Sequence, residues 1–222
     1  MFALLSTSFT GVDALTFNAD LDEKSHVILL EDAGGIVRGF STLRVYKTQV
    51  PDLDATIVYS GDTIVDRQFW GSAALPASWL TVIRALTSGA GTRDVYWLLL
   101  TSGFRTYRFL PVFFREFYPR AGSQPASRTL VDALAHEHFG DRYDAERGVV
   151  RFPRPQVLVS ALLDVPRGRI LDEHVAFFLE QNPGFANGDE LVCLTKISGD
   201  NLTAAGRRIA RSVRTESERT AG

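Results

Sequence analysis

The chain has 222 residues, 45% apolar and 11% aromatic, enough for one sizeable core without metals or disulfides. Its 24 basic and 26 acidic side chains leave a formal charge of -2, which excludes a global basic field for holding nucleic acid. A single cysteine, Cys193, excludes an intrachain disulfide and a cysteine-rich zinc site.

In chain order, Phe2 to Phe9 reads as a first strand or the start of a helix. It has no basic residue ahead of its apolar stretch, unlike a signal peptide. Val27 to Leu30 is an apolar run expected to form a buried strand. Asp32-Ala33-Gly34-Gly35 is a hairpin turn leading to a strand over about Ile36 to Tyr46. Pro51-Asp52-Leu53-Asp54 is a second turn. The strand Ala55 to Val65 follows, with Ser60-Gly61 marking a bulge or bend. These elements make an antiparallel meander.

The pattern then changes. Pro76 to Leu86 carries Trp79, Leu80, Ile83 and Leu86 at helical spacing, and Ser88-Gly89-Ala90-Gly91 ends that helix. Val95 to Leu100 is a continuous apolar strand, central and covered on both faces. Phe104 to Phe117 is an aromatic-rich helix that Pro111 interrupts or restarts, and Ser127 to Phe139 is an amphipathic helix. Gly148 to Phe152 reads as a short strand, Pro153 to Ala161 as a loop and Asp172 to Gln181 as a helix stopped by Asn182-Pro183-Gly184. Glu190 to Ile197 is a last strand. Cys193 inside it reads as a small buried hydrophobe rather than a nucleophile. Residues from Arg207 onward are polar and mixed in charge, and are expected to fray. The expected organisation is one domain over residues 1–205, with the core motifs in about 1–120 and a flexible tail over 206–222. No uncharged run reaches the length of a membrane span, and the expectation is a cytoplasmic protein without a membrane partner.

The sharpest local signal is Gln68-Phe69-Trp70-Gly71-Ser72-Ala73, between a strand ending near Val65 and a helix starting near Pro76. Small residues at 71 and 73 admit a ligand close to the backbone, and free N–H groups at the helix start favour an anion. A tight strand-to-helix turn is the plainer reading of the same residues. The pattern Gln68, Gly71, Ala73 resembles the pyrophosphate loop of the GNAT acyltransferase superfamily, and the order of elements over residues 1–120 is similar to a GNAT domain.

The resemblance implies a GNAT-like α/β fold: a mixed sheet with an antiparallel N-terminal meander, a splayed central parallel strand pair and helices on both faces. Ala55 to Val65 and Val95 to Leu100 would be the splayed pair, with Gly61 the bend that opens them. A pantetheine thioester, from acyl-CoA or an acyl carrier protein, would lie in the gap. Val65, Gln68, Phe69, Trp70, Gly71, Ser72, Ala73 and Arg105 would contact it. The implied activity is acyl transfer to a small-molecule amine by direct attack, with no metal and no covalent intermediate. Asp62 and Asp66, spaced by the strand period and so on one face, are base candidates, or else solvated or turn carboxylates. Tyr107 and Tyr118 are candidates to protonate the leaving thiolate, although Pro111 and the missing Asn-x-x-Ala-x-x-x-Tyr run depart from the family pattern.

Arg105, Arg108, Arg115 and Arg120 interleave with Phe and Tyr. They read as a solvated helix face, a nucleic-acid patch, or a patch for a carrier protein or the 3′-phosphate of coenzyme A. His136 and His138 straddle Glu137 at a spacing that points them apart, which argues against a metal site, and His26 and His174 stand alone. A non-catalytic GNAT-fold binding or sensing module, or altered thioester chemistry such as decarboxylation, are the alternatives to acyl transfer.

Overall fold

The computed structural model describes residues 1–87 and 93–220, with the side chains of Thr87 and residues 213–220 left aside. The expected helix end at Ser88-Gly91 lies outside the described residues. Two short elements, α1 (Phe2–Leu5) and β1 (Phe9–Thr10), open the chain, followed by α2 (Ala14–Asp22). Asp13 caps α2 by accepting from the Thr16 N–H at 2.9 Å. Strands β2 (His26–Glu31), β3 (Val37–Lys47) and β4 (Ala55–Val65) form the antiparallel meander. Helix α3 (Ala74–Thr87) precedes β5 (Asp94–Thr101), and α4 (Phe104–Tyr107) and α5 (Phe109–Phe113) follow it. The remainder comprises α6 (Pro125–Phe139), β6 (Tyr143–Asp144), β7 (Val149–Val150), β8 (Val157–Leu158), α7 (Ser160–Leu163), α8 (Glu173–Gln181), β9 (Glu190–Lys196) and α9 (Ala204–Thr220).

The main sheet runs β2-β3-β4-β5-β9-β7-β6. Only β4 and β5 pair in parallel, because a helix-bearing crossover through α3 joins them; every other pair is antiparallel. One face packs Val58, Trp97, Leu99 and Cys193 under Trp79 and Ile83 of α3, Phe104 and Tyr107 of α4, and Phe178 of α8. The other packs Ile57, Tyr59, Leu98 and Val192 under Val131, Leu134 and Phe139 of α6. Beside it, Leu5 of α1 and Phe17 of α2 cover Phe40 and Ile64.

Four expectations are corrected. The run Val27 to Leu30 is not a buried strand: β2 is the sheet edge, where Ile28 is buried while Val27 and Leu29 are exposed. The aromatic segment is not one helix to Phe117: it breaks at Arg108, since a proline ring clashes with the carbonyl four residues earlier, that of Tyr107, and restarts as α5 with Pro111 in its first turn. From Phe114 the chain is extended, with Tyr118 bridging to Leu194. Part of the Pro153 to Ala161 loop is β8, which pairs with β1 through Phe9↔Leu158. Residues 207–212, expected to fray, belong to α9, whose Ile209 and Ala210 pack on the core. Among the described residues no helix is long and apolar enough to cross a membrane.

Candidate functional site

The parallel pairing of β4 with β5 runs from Ala55↔Asp94 to Ser60↔Leu99 and stops. Beyond it, Thr63 to Val65 pair only with β3, and Leu100 and Thr101 only with β9. Two strand edges therefore face one another without bonding. The cause is a bulge in which Gly61 and Asp62 together oppose Thr42 on β3. Gly61 makes room for its neighbours there: an added Cβ would meet Lys24 Cε and Thr42 Oγ1, each at 2.8 Å. Just before the bulge, Trp97 Nε1 donates to Ser60 Oγ at 2.7 Å and holds the last paired residue to β5. The fold is GNAT-like.

No protein-family model matches the chain, and no curated protein does. Among solved structures it is similar to YhbS of Escherichia coli, a GNAT family N-acetyltransferase in complex with CoA. The identity is 19%, the match covers 49% of this chain and 59% of YhbS, and the TM-score is 0.37. A candidate phosphinothricin N-acetyltransferase is 12% identical over 56% of this chain and 79% of its own, with a TM-score of 0.34. It is the strand order and the splay that make this fold GNAT-like.

The residues expected to contact the donor lie together at the end of β4. A short 3₁₀ turn over Arg67–Phe69 is capped by Asp66, whose carboxylate accepts from the Gln68 N–H at 3.1 Å. Trp70 Nε1 donates to the Val65 carbonyl at 2.9 Å and folds the loop back on the strand. Gly71 takes φ +89°, in the left-handed region, and an added Cβ would meet nothing within 4 Å. Gly71, Ser72 and Ala73 are exposed. Ser72 Oγ accepts from the Ala74 N–H at 3.1 Å, and the N–H groups of Gly71 and Ala73 have no acceptor among the described residues. Arg105 reaches across from α4, its guanidinium 5.5 Å from the Trp70 ring centroid, with Arg67 on the same ring at 5.9 Å. Burial, and then the neighbouring Arg67, lower the pKa of Arg105.

Asp62 and Asp66 have different partners. Asp66 lies past the strand end, where it caps the turn and pairs with Arg38 at 3.3 Å; Arg38 also pairs with Asp32 at 2.8 Å, tying the loop to the first hairpin. Asp62 stays in the bulge, half-buried and with no ion-pair partner among the described residues. Burial, and then the Asp20 carboxylate, push its carboxyl up to about 6, against an opposing pull from Lys24. Lys24 is nearly enclosed, pairs with Asp20 at 2.5 Å and lies over the Tyr59 ring at 5.5 Å.

Neither tyrosine joins Asp62. Tyr107 is fully buried and its hydroxyl donates to the Pro119 carbonyl at 2.8 Å; burial holds the phenol protonated. Tyr118 lines a separate small cavity with Arg128, Glu146, Arg147 and Gln181. The arginine cluster also disperses. Arg108 pairs with Asp172 at 2.9 Å, Arg120 pairs with Glu116, and Arg105 donates to the carbonyls of Leu162 and Asp164. Cys193 is buried, and burial pushes its thiol up to about 12. His138 shares a hydrogen bond with the Tyr46 hydroxyl at 3.1 Å; burial lowers it to about 4, so it is neutral at pH 7.

Sequence reading missed Glu190, Asp20 and Lys24. Glu190 begins β9, paired with Val150 of β7. Burial, and then the Asp62 charge, push it up to about 8. A carboxylate at the start of a strand that is otherwise buried is the one signal the sequence carries for it.

Proposed function

We propose that the protein is a GNAT-type acyltransferase that moves an acyl group from a pantetheine thioester to an amine by direct attack. The release of β4 from β5 after Ser60, immediately before a loop with free N–H groups, is the observation that carries this reading. A pantetheine arm carries amides that can bond to the unpaired edge of Gly61 to Val65. Its phosphates would meet the Gly71 and Ala73 N–H groups and the positive end of α3. Arg67 and Arg105 add positive charge beside Trp70, which suits a donor bearing several phosphates, so coenzyme A is favoured over an acyl carrier protein.

Asp62 is the base in this scheme. With its carboxyl at about 6 it is mostly ionised at neutral pH, yet basic enough to accept a proton from an attacking amine. The carboxylates of Asp20 and Asp62 favour a cationic acceptor entering from the α2 side. Holding the amine against the thioester carbonyl supplies the proximity that direct attack needs.

Calorimetry with coenzyme A, followed by thiol release from acyl-CoA with a panel of amines, tests the proposal. Tight binding with amine-dependent release supports it. Binding without release supports a sensing module, a reading favoured by one observation, the engagement of the Tyr107 hydroxyl with Pro119. Absence of binding overturns both.

A further inference from the structure

We propose that Trp79 of α3 touches the acyl donor at the apex of the splay, its indole N–H donating to the carbonyl oxygen of the thioester. This rests on the acyl-transfer reading above and names the group that meets the charge forming on that oxygen.

The placement is set by contacts. Trp79 lies in the second turn of α3, and its ring centroid is 4.3 Å from that of Trp97 on β5. Trp97 in turn donates to Ser60 Oγ at 2.7 Å, and Ser60 is the last β4 residue paired with β5. The two indoles and Ser60 therefore link α3 through β5 to β4 at the residue where the strands part. Aromatic side chains on a helix lean toward its N-terminus, so Trp79 leans toward the loop at Gly71. Two residues before Leu43, on the same side of β3, Ser41 is wholly buried and bonds Thr63 of the free half at 2.8 Å. Past the apex, this side of the gap thus carries hydroxyls where the paired half carries Val58.

The unmet hydrogen bond of Trp79 points to a ligand. Trp79 is 7% exposed, and its Nε1 is buried without an acceptor. Its neighbour Trp97 has one. An indole N–H can only donate, and buried donors are rarely left without a partner. A second unmet group stands at the same bulge: Thr42 is 1% exposed, and its Oγ1, which lies against Gly61, has no partner either. Unmet polar groups thus flank the residues at which β4 leaves β5. With the donor's phosphates at Gly71 and Ala73 and its amides along Gly61 to Val65, the thioester carbonyl is the acceptor that arrives at Ser60.

In the step proposed, the neutral amine attacks the thioester carbon and the N–C bond forms, while the carbonyl π pair moves onto oxygen against the Trp79 N–H. Asp62 takes a proton from the nitrogen and later returns it to solvent. The oxyanion pair then restores the C=O bond, the C–S bond breaks, and the thiolate leaves with that pair and takes a proton from solvent.

The test follows the indole N–H signals of the isotope-labelled wild type by NMR, with Trp70→Phe and Trp97→Phe assigning the other two. Coenzyme A, acyl-CoA and the matching S-alkyl thioether, which lacks the carbonyl, are added in turn. The Trp79 proton should move downfield with acyl-CoA and hold its position with the other two. In turnover, Trp79→Phe should lower kcat by about 10²-fold or more, with coenzyme A affinity by calorimetry within about twofold. If that variant does not fold, the wild-type spectra decide. A Trp79 signal that moves alike with acyl-CoA and the thioether overturns the carbonyl contact. A signal that moves with neither means that at most a buried water meets the N–H, and overturns the proposal, as does an unchanged kcat in Trp79→Phe. These results leave acyl transfer intact, because binding and thiol release are read separately. A wild type that binds none of the three ligands, or binds acyl-CoA and releases no thiol, overturns acyl transfer and this role with it.

Discussion

Ala55–Ser60 and Gly61–Val65 are the two halves of one strand, yet they live under different physics. The first half is hydrogen-bonded on both sides, to β3 and to β5, and buries Ala55, Ile57, Val58 and Tyr59 in two cores. The second half is bonded on one side only, and Asp62 in its bulge is half-buried with no ion-pair partner among the described residues. Unbonded strand edges and uncompensated carboxyls both cost free energy, so a fold keeps them only where other packing over-determines the backbone. Here the Trp97 to Ser60 bond and the Arg38 pairs anchor the second half at its two ends. The lesson is that packing and the proposed chemistry are separated along β4 within a single residue step.

The largest effect should come from the part of β5 bonded to the first half. Leu98, fully buried and paired with Tyr59, should cost about 2–5 kcal/mol of folding stability when replaced by alanine, as read by urea denaturation. Turnover per folded molecule should stay within a few-fold; a much larger loss would mean the halves are not separable.

Asp62→Asn should do the reverse. Turnover should fall by about 10²-fold or more with donor affinity unchanged. Stability should rise, and the sign follows from the carboxyl. Its ordinary value of 3.8 is raised to about 6 in the folded state, so the wild type loses stability as pH climbs through that window and stays lower above it. Asparagine carries no such cost. Melting curves should show the variant ahead of wild type above pH 6, with the gap closing toward pH 4. A variant less stable at neutral pH would assign Asp62 to the scaffold.

Gly71→Glu places a carboxylate where donor phosphates would sit. Coenzyme A affinity should drop by about 1.4 kcal/mol or more, a factor of ten. Gly71→Ala is the control for the strain of a side chain at φ +89°, since the space itself is open. The smallest effect belongs to Asp66→Ala, which removes the turn cap and one Arg38 contact and should cost about 0.5–2 kcal/mol. Acid-base chemistry should be untouched, which sets Asp66 apart from Asp62 in the pH profile.

Much of this arrangement was written locally. Ala55 to Val65 and Val95 to Leu100 are apolar runs bounded by turn residues, and the glycine at 61 announces a break in pairing. The loop after Val65 was legible for the same reason, since small residues and a helix start are sequence neighbours. What escaped was decided by distant partners. Glu190 enters the main sheet because β9 inserts between β5 and β7, a crossing that no local pattern encodes. Tyr107 looked available until the extended segment ending at Pro119 captured its hydroxyl. The exposure of Val27 and Leu29 follows from β2 having no outer neighbour, which its own composition does not reveal.

The chain contains 3 tryptophans. Trp79 and Trp97 are enclosed, with ring centroids 4.3 Å apart, while Trp70 is 46% exposed and hangs on the loop by its bond to Val65. An optical experiment therefore comes built in. Aqueous iodide should quench the fluorescence of one indole and spare the other two, and a molecule settling on the loop should shield that one from the quencher. Occupancy of the loop can thus be followed by light in the unmodified protein, without waiting for any reaction to be found.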